Sequence, residues 1–297
     1  MPRHGVLGFL LITFVCTWFP AWLLRDAVGV GQFSMPWRFF ISTLLYVSIM
    51  GWQPLIAVML TRRYLEPEIE LNAGLRSTSE KFVVLAVLLP TLAMIGASCL
   101  QLLFADRLTM ALSAPSAPLA AGILPSLLAI TLVLAAAGLI YCQCVIEEIA
   151  WRGYLLVRMM ELAGPWRGLI AHGAIWGVWY APILILGGAA PGSHPYLHAA
   201  EFTVTCTLLG ILLGWLRLAS QSILPAVIAN ASLTVGAGLP LMLNGMAIGA
   251  RCAVYLPIGW VPLLAVTCWL AFTRRRAAVV TPRPPPKPNR RWSPALH

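Results

Sequence analysis

Two adjacent glutamates stand inside one of the most apolar stretches of the sequence. Glu147 and Glu148 follow the run AITLVLAAAGLIYCQCVI and precede IAWRGYLLV, and Arg152 comes four residues after Glu148. A carboxylate buried in a membrane is costly, so an acid within a membrane span indicates a function by default. A desolvated carboxylate placed beside a substrate can act as a general base. The residue types therefore point to acid–base chemistry, provided that this segment spans a membrane.

The spacing of these charges leaves a purely structural explanation open for two of them. On a helix, Glu148 and Arg152 lie on one face, where they can form an ion pair. Glu147 points about 100° away from Glu148 and has no such local partner. A buried salt bridge would thus explain Glu148 and Arg152 and leave Glu147 unexplained.

Further polar residues are expected to reach the same depth as Glu147. The short loop around Gly164-Pro165-Trp166 predicts an antiparallel helical hairpin. Glu147 lies about sixteen residues before this loop and Tyr180 about as far after it, so the rise per residue places both at similar depth. Asn230 and Thr234, four residues apart on a later helix, suit a polar cavity shared with Glu147. Ordinary hydrogen bonding between helices is the alternative for that pair.

The composition identifies the medium in which these residues work. Apolar residues make up 60% of the 297 residues and charged residues 10%, with a mean hydropathy of +0.83. Soluble domains carry roughly a quarter charged residues. This balance excludes a cytosolic enzyme, a nucleic-acid-binding domain and a disordered protein, and it predicts an all-α polytopic membrane protein. The seven cysteines form no CxxC pair, so neither a disulfide framework nor a structural metal is expected.

Eight apolar stretches predict about eight transmembrane helices, with the fourth too long for one span of about 20 residues. They run over 5–24, 39–61, 81–104, 118–157, 168–188, 200–216, 222–243 and 253–272. With the N-terminus inside, fifteen lysines and arginines fall in cytoplasmic segments and four in outer loops. The positive-inside rule therefore predicts that both termini are cytoplasmic.

The same map divides the chain into four regions. Residues 1–117 hold N-terminal transmembrane helices and a cytoplasmic loop, 62–81, that is expected to be a solvated linker. Residues 118–250 form a core that carries the candidate residues, and 251–273 form the last helix. The basic, proline-rich tail 274–297 is predicted to be disordered and to contact anionic lipid at the inner surface.

Three segments resemble the motifs of the CPBP family, which comprises the CAAX proteases and bacteriocin-processing, or Abi, proteins. EEIAWRGYLL resembles the first motif, EExxxR; AIWGVWYAP resembles the second, an aromatic residue followed four residues later by His; and SILPAVIANASLT resembles the third, HxxxN. Their order and spacing match over roughly residues 130–240. The family includes the type II CAAX prenyl endopeptidases, so the resemblance implies a glutamate-dependent intramembrane protease.

The resemblance also implies roles for individual residues. Glu147 would activate a water molecule, and Glu148 and Arg152 would orient Glu147. Tyr180 occupies the position of the partner that helps to activate the water, where the family has His. Fixed hydrogen-bond donors stabilise a developing oxyanion.

The third motif also departs from the family. Asn230 and Thr234 occupy the positions that would hold the oxyanion, where the family has His and Asn. Asn230 and the Tyr180 hydroxyl can donate hydrogen bonds, but neither can be an imidazolium at neutral pH.

Other histidines offer weaker alternatives. His172 lies two turns nearer the predicted cytoplasmic side than Tyr180, which makes it a poor substitute. His194, His198 and Glu201 have a spacing that suits a metal if the segment is helical, but Pro195 interrupts it and the map places it in an outer loop. No cofactor or metal is therefore predicted, and a metal requirement stays open.

The sequence thus predicts an intramembrane endopeptidase that acts on a membrane-associated peptide or protein, in the bacterial inner membrane, without a nucleic-acid partner. The alternative is a non-catalytic relative that binds a membrane partner as an immunity, scaffold or chaperone protein. The missing histidines motivate this alternative. The substrate, the cleavage site and the recognition of a prenyl group stay open.

Overall fold

The computed structural model of the chain describes residues 2–23, 44, 48, 50–67, 74–104, 123–186, 194–243 and 253–273. The helices before the candidate site are α1 (Pro2–Leu23), α2 (Gln53–Tyr64) and α3 (Glu80–Phe104). The helix with the glutamates is α4 (Ile123–Glu148), followed by a π-helix (Ile149–Leu155) and α5 (Leu156–Ala163). The remaining helices are α6 (Pro165–Trp179), α7 (Ala181–Leu186), α8 (Pro195–Ser220), α9 (Leu224–Leu243) and α10 (Trp260–Thr273), with single 3₁₀ turns at Ala253–Tyr255 and Pro257–Gly259.

The predicted all-α class is confirmed, and the described residues contain no strand. Among the described residues, four helices are long and apolar enough to cross a membrane: Arg3–Leu23, Glu80–Gln101, Ile130–Ala163 and Pro195–Ser220. Two shorter apolar helices, Leu224–Gly236 and Pro257–Phe272, accompany them. The count of eight spans and the cytoplasmic location of the termini stay predictions. The predicted tail 274–297 lies outside the described residues.

The described part of the fourth apolar stretch, from Ile123 on, forms one continuous helix that changes its winding just after the glutamates. From Ile149 to Leu155 the backbone is π-helical, and the Leu156 N–H bonds to the Trp151 carbonyl, five residues back. Such wider turns are rare and are frequent at functional sites. Every side chain from Ala150 to Leu155 is buried, so this segment is packed on all sides.

The hairpin predicted at Gly164 is present. Gly164 ends α5 with φ of +81°, a conformation that suits glycine, and Pro165 starts α6 at a position that tolerates the missing N–H. Beyond the turn, α6 packs tightly on α8. A Cβ built on Gly177 would lie 2.6 Å from the Thr203 Cα, so glycine allows the two backbones this approach. The end of α6 is thereby fixed beside the α4–π-helix junction.

The prediction of a solvated linker at 62–81 is wrong for Glu66. This glutamate is 3% exposed, and Tyr154 donates its hydroxyl to Glu66 Oε2 at 3.0 Å. Arg158 Nε lies 3.4 Å from the same oxygen, and Gly5 of α1 packs against the carboxylate. The sequence pattern missed this burial because the partners come from distant parts of the chain.

A second part of the same loop packs onto the turn between α8 and α9. Gly74, at φ of +70°, accepts a hydrogen bond from the Ile223 N–H at 3.0 Å. Ser222 Oγ donates to the Arg76 carbonyl at 2.6 Å. These bonds hold the start of α9, the helix that carries Asn230, to the segment that leads into α3.

Candidate functional site

Glu147 is buried where α4 meets the end of α6. Its side chain is 2% exposed. Gln143, one turn earlier on α4, donates its Nε2 to Glu147 Oε1 at 2.8 Å. The Tyr180 hydroxyl donates to the same carboxylate, with distances of 3.1 Å to Oε1 and 3.2 Å to Oε2. The expectation that Tyr180 and Glu147 lie at one depth is therefore confirmed.

The position of Tyr180 follows from local sequence. It is the C-cap of α6, and its N–H bonds to the Gly177 carbonyl at 3.1 Å. Pro182 follows two residues later, where it lacks the N–H needed to continue the α6 hydrogen-bond ladder. The Tyr180 ring is held edge-on by Trp176, Trp179 and Phe202.

Glu148 is hydrogen bonded to an arginine and to a residue of α9. Arg152 Nη1 lies 2.8 Å from Glu148 Oε1, and both side chains are 0% exposed. Asn230 of α9 donates its Nδ2 to the same oxygen at 3.0 Å. The guanidinium also lies over the Trp176 ring, 4.0 Å from its centroid. The predicted Glu148–Arg152 ion pair is thus confirmed, and Asn230 joins it from another helix.

The charges of this site do not balance. Two carboxylates and one guanidinium lie together, and none is more than 2% exposed. Arg152 is hydrogen bonded to Glu148, whereas the partners of Glu147 are an amide and a phenol. Because burying an uncompensated charge is costly, Glu147 is difficult to explain as a structural residue.

Thr234 lies one turn beyond Asn230 and is directed elsewhere. Its hydroxyl donates to the Asn230 carbonyl at 3.0 Å and interacts with the Cys144 thiol. Asn230 therefore lies beside the carboxylates, whereas the Thr234 hydroxyl bonds to the α9 backbone; the cavity shared with Glu147 stays a prediction. The catalytic assignments of all these residues stay predictions.

The alternative histidines lie away from the carboxylates. His172 is fully buried and packs edge-on against Trp151, with ring centroids 6.5 Å apart. Neither ring nitrogen has a hydrogen-bond partner within the described part of the chain, so His172 does not hydrogen bond to Glu147 there. His194 caps the start of α8, and His198 lies in its first turn. In the described ranges, no group of three metal-binding side chains comes together.

Gln143 is the residue of this site that sequence reasoning missed. It is 2% exposed and stands in the run YCQCVIEE, four residues before Glu147. Gln143 and Glu147 are four residues apart, the same spacing that places Glu148 and Arg152 on one helical face. A polar side chain one helical turn from an unpaired acid was therefore a usable signal.

The fold and site define a helical membrane protein with a pair of buried glutamates at the meeting point of three sequence motifs. Residues 119–235 match the family model described as type II CAAX prenyl endopeptidase Rce1-like. The match includes Glu147, Glu148, Arg152, Tyr180 and Asn230, and it confirms the resemblance to the CPBP family. No curated protein matches the chain significantly.

Proposed function

We propose that the chain is a CPBP-type intramembrane endopeptidase that hydrolyses a peptide bond in a membrane-associated peptide or protein. The observation that carries this proposal is the environment of Glu147. Its carboxylate is buried, receives hydrogen bonds from Gln143 and Tyr180, and has no hydrogen bond from a guanidinium within the described residues. A carboxylate held in this way, without an ion-pair partner, is suited to take a proton from water.

The reaction can be written with Glu147 as the proton carrier. Glu147 accepts a proton from water while the water oxygen attacks the carbonyl carbon of the scissile bond. The carbonyl oxygen becomes an oxyanion in the tetrahedral intermediate. Glu147 then gives its proton to the amide nitrogen, the C–N bond breaks, and a carboxylic acid and an amine leave.

Glu148 has a different part in this mechanism. Its Oε1 accepts hydrogen bonds from Arg152 and Asn230, so this carboxylate is already held in an ion pair. Glu148 therefore orients Arg152 and the α9 side chain beside the site. Of the two adjacent acids, Glu147 is the base.

The residues at the family's histidine positions slow the reaction and change how the oxyanion is held. Tyr180 and Asn230 both donate to the carboxylates in this structure. Each must turn toward the substrate oxygen in order to stabilise an oxyanion. Because neither is an acid–base partner of the imidazole kind, turnover is expected to be about 10²–10⁴-fold slower than with histidine.

A second candidate function follows from the same contacts. Tyr180 and Asn230 already donate hydrogen bonds to the glutamates, and the buried His172 hydrogen bonds to neither of them in the described residues. A non-catalytic relative would use this polar cavity to bind a membrane partner, as an immunity, scaffold or chaperone protein. It would show peptide binding without Glu147-dependent cleavage.

The deciding experiment compares peptide products from purified protein in lipid. Wild type, Glu147→Gln and Glu66→Gln are incubated with a diverse library that includes prenylated and leader-type peptides. Glu66 is the matched control, because it is also a buried glutamate that accepts a tyrosine hydroxyl, outside the site. We expect the same products from wild type and Glu66→Gln and none from Glu147→Gln. An identical product profile for all three proteins would disprove the mechanism.

We also propose the setting in which this chemistry occurs. The chain spans the bacterial inner membrane about eight times, with both termini cytoplasmic and the basic tail on anionic lipid. The excess of lysine and arginine in alternate loops supports this topology. Labelling of single cysteines placed near residues 2 and 290 by an impermeant reagent tests it, since labelling in intact cells would contradict the proposal.

A further inference from the structure

Gln143 has an orientation that its neighbours determine. Its Nε2 lies 2.8 Å from Glu147 Oε1 and 3.2 Å from the Met50 carbonyl oxygen. Both neighbours are acceptors, so the NH₂ end of the amide must face them and both of its hydrogens are used. The opposite end, Oε1, is fixed by this choice. Met50 is itself 0% exposed, so the carbonyl that accepts from Gln143 belongs to a residue of the packed core.

The second polar atom of Gln143, Oε1, is an acceptor without a donor among the described residues. Oε1 is buried and has no hydrogen-bond partner within the described residues. A buried acceptor without a donor is unfavourable, so the atom is expected to meet a donor in the working protein. Because its amide is bonded to Glu147, that donor must arrive beside the carboxylate.

We propose that Gln143 Oε1 and the Glu147 carboxylate together hold the water molecule that attacks the peptide bond, an inference that rests on the proposed function. The two amide atoms of glutamine are about 2.2 Å apart, from their bond lengths. With the 2.8 Å bond to Glu147, Gln143 Oε1 is at most about 5 Å from Glu147 Oε1. A water that donates to two oxygens at about 2.8 Å each can span up to about 5.6 Å. The two oxygens are therefore close enough for one water to donate a hydrogen bond to each.

This arrangement gives the water a direction. One hydrogen points to Glu147 and the other to Gln143, so a lone pair of the oxygen faces away from both and toward a bound peptide carbonyl. The proton that is transferred goes to Glu147, because an amide oxygen is a far weaker base. The other hydrogen stays on the attacking oxygen. Holding a nucleophile in one orientation contributes to rate without changing substrate affinity.

The kinetic test uses a substitution that removes both polar atoms of Gln143 at nearly constant length. Gln143→Met is expected to lower kcat about 10²-fold and to change KM by less than about twofold. Gln53→Met is the matched control on the neighbouring helix α2, since the Gln53 amide donates only to the Ser48 carbonyl, at 3.4 Å, among its described contacts. Its kinetics are expected to stay within about twofold of wild type. A higher KM with unchanged kcat would assign Oε1 to a substrate N–H and overturn the proposal.

A structural test decides the matter independently of turnover. A structure of the wild type in lipid, at a resolution that shows ordered water, is expected to contain one water within hydrogen-bond distance of Gln143 Oε1 and Glu147. Gln143→Met is expected to lack it. A protein donor on Oε1, or an absence of water there, would overturn the proposal. Water at this place in a protein without Glu147-dependent cleavage would support the water site and refute the protease function.

Discussion

Two buried glutamate clusters lie along the same continuous helix and differ in the balance of their buried charges. We call Gln143, Glu147, Glu148, Arg152, Tyr180 and Asn230 the site cluster, and Glu66, Tyr154 and Arg158 the anchor cluster. Each contains a glutamate that accepts a hydrogen bond from a tyrosine hydroxyl, with an oxygen–oxygen distance of 3.1 Å for Glu147 and 3.0 Å for Glu66. Each also contains an arginine. The similarity makes their differences informative.

In the anchor cluster, the one buried glutamate lies beside one arginine. Arg158 lies 3.4 Å from Glu66 Oε2, remains 11% exposed and also pairs with Glu161 on the surface. In the site cluster, Arg152 is fully buried and its hydrogen bond goes to Glu148, which leaves Glu147 with uncharged donors. A cluster whose buried charges balance, and whose arginine is partly exposed, is sufficient for joining the segment after α2 to the helix. A fully buried cluster with unbalanced charges lowers the stability of the fold, and such a cost is expected at a reactive site.

The largest expected effect comes from removing the arginine of each cluster. Arg152→Met leaves Glu148 buried without its ion pair and is expected to lower the free energy of unfolding by about 3–5 kcal/mol. Arg158→Met is expected to lower it by about 1–2 kcal/mol, because Arg158 is partly exposed and Glu66 retains Tyr154. Denaturant titration in mixed micelles measures both. Equal losses would remove the distinction between the two clusters.

Removing one hydroxyl from each cluster is expected to separate activity from stability. Tyr180→Phe deletes the hydrogen bond to Glu147 and keeps the ring packing, so turnover is expected to fall about 10- to 100-fold. Tyr154→Phe is expected to lower stability by about 1 kcal/mol with little change in turnover. Rates with a cleavable peptide and unfolding curves are measured on both variants. A turnover defect in Tyr154→Phe of the same size would show that the anchor cluster belongs to the mechanism.

The smallest expected effect is at the exposed edge of the anchor cluster. Glu161 is 41% exposed and lies 2.8 Å from Arg158 Nη1. Glu161→Gln is expected to change the free energy of unfolding by less than about 0.5 kcal/mol, since a surface ion pair contributes little. The small difference should shrink further as salt is added. A loss above about 1 kcal/mol would mean that Arg158 needs both acids to hold Glu66.

Much of the site was predictable because its contacts follow short-range rules. The Glu148–Arg152 pair follows from a spacing of four residues, and Gln143 obeys the same rule although it was missed. The contact between Tyr180 and Glu147 needed one further step, the hairpin at Gly164, which glycine and proline mark in the sequence. Asn230 was placed by depth alone, and its partner proved to be Glu148.

Apolar composition and periodic spacing act locally along the chain, so they are enough to predict a membrane protein, its helical class and its family motifs. The packing of the helices, in contrast, decides which acid receives the arginine and which receives an amide and a phenol. It also decided that Glu66, predicted to be solvated, is buried against Tyr154, 88 residues away. Such contacts depend on how distant helices pack, and no local pattern in the sequence encodes that packing.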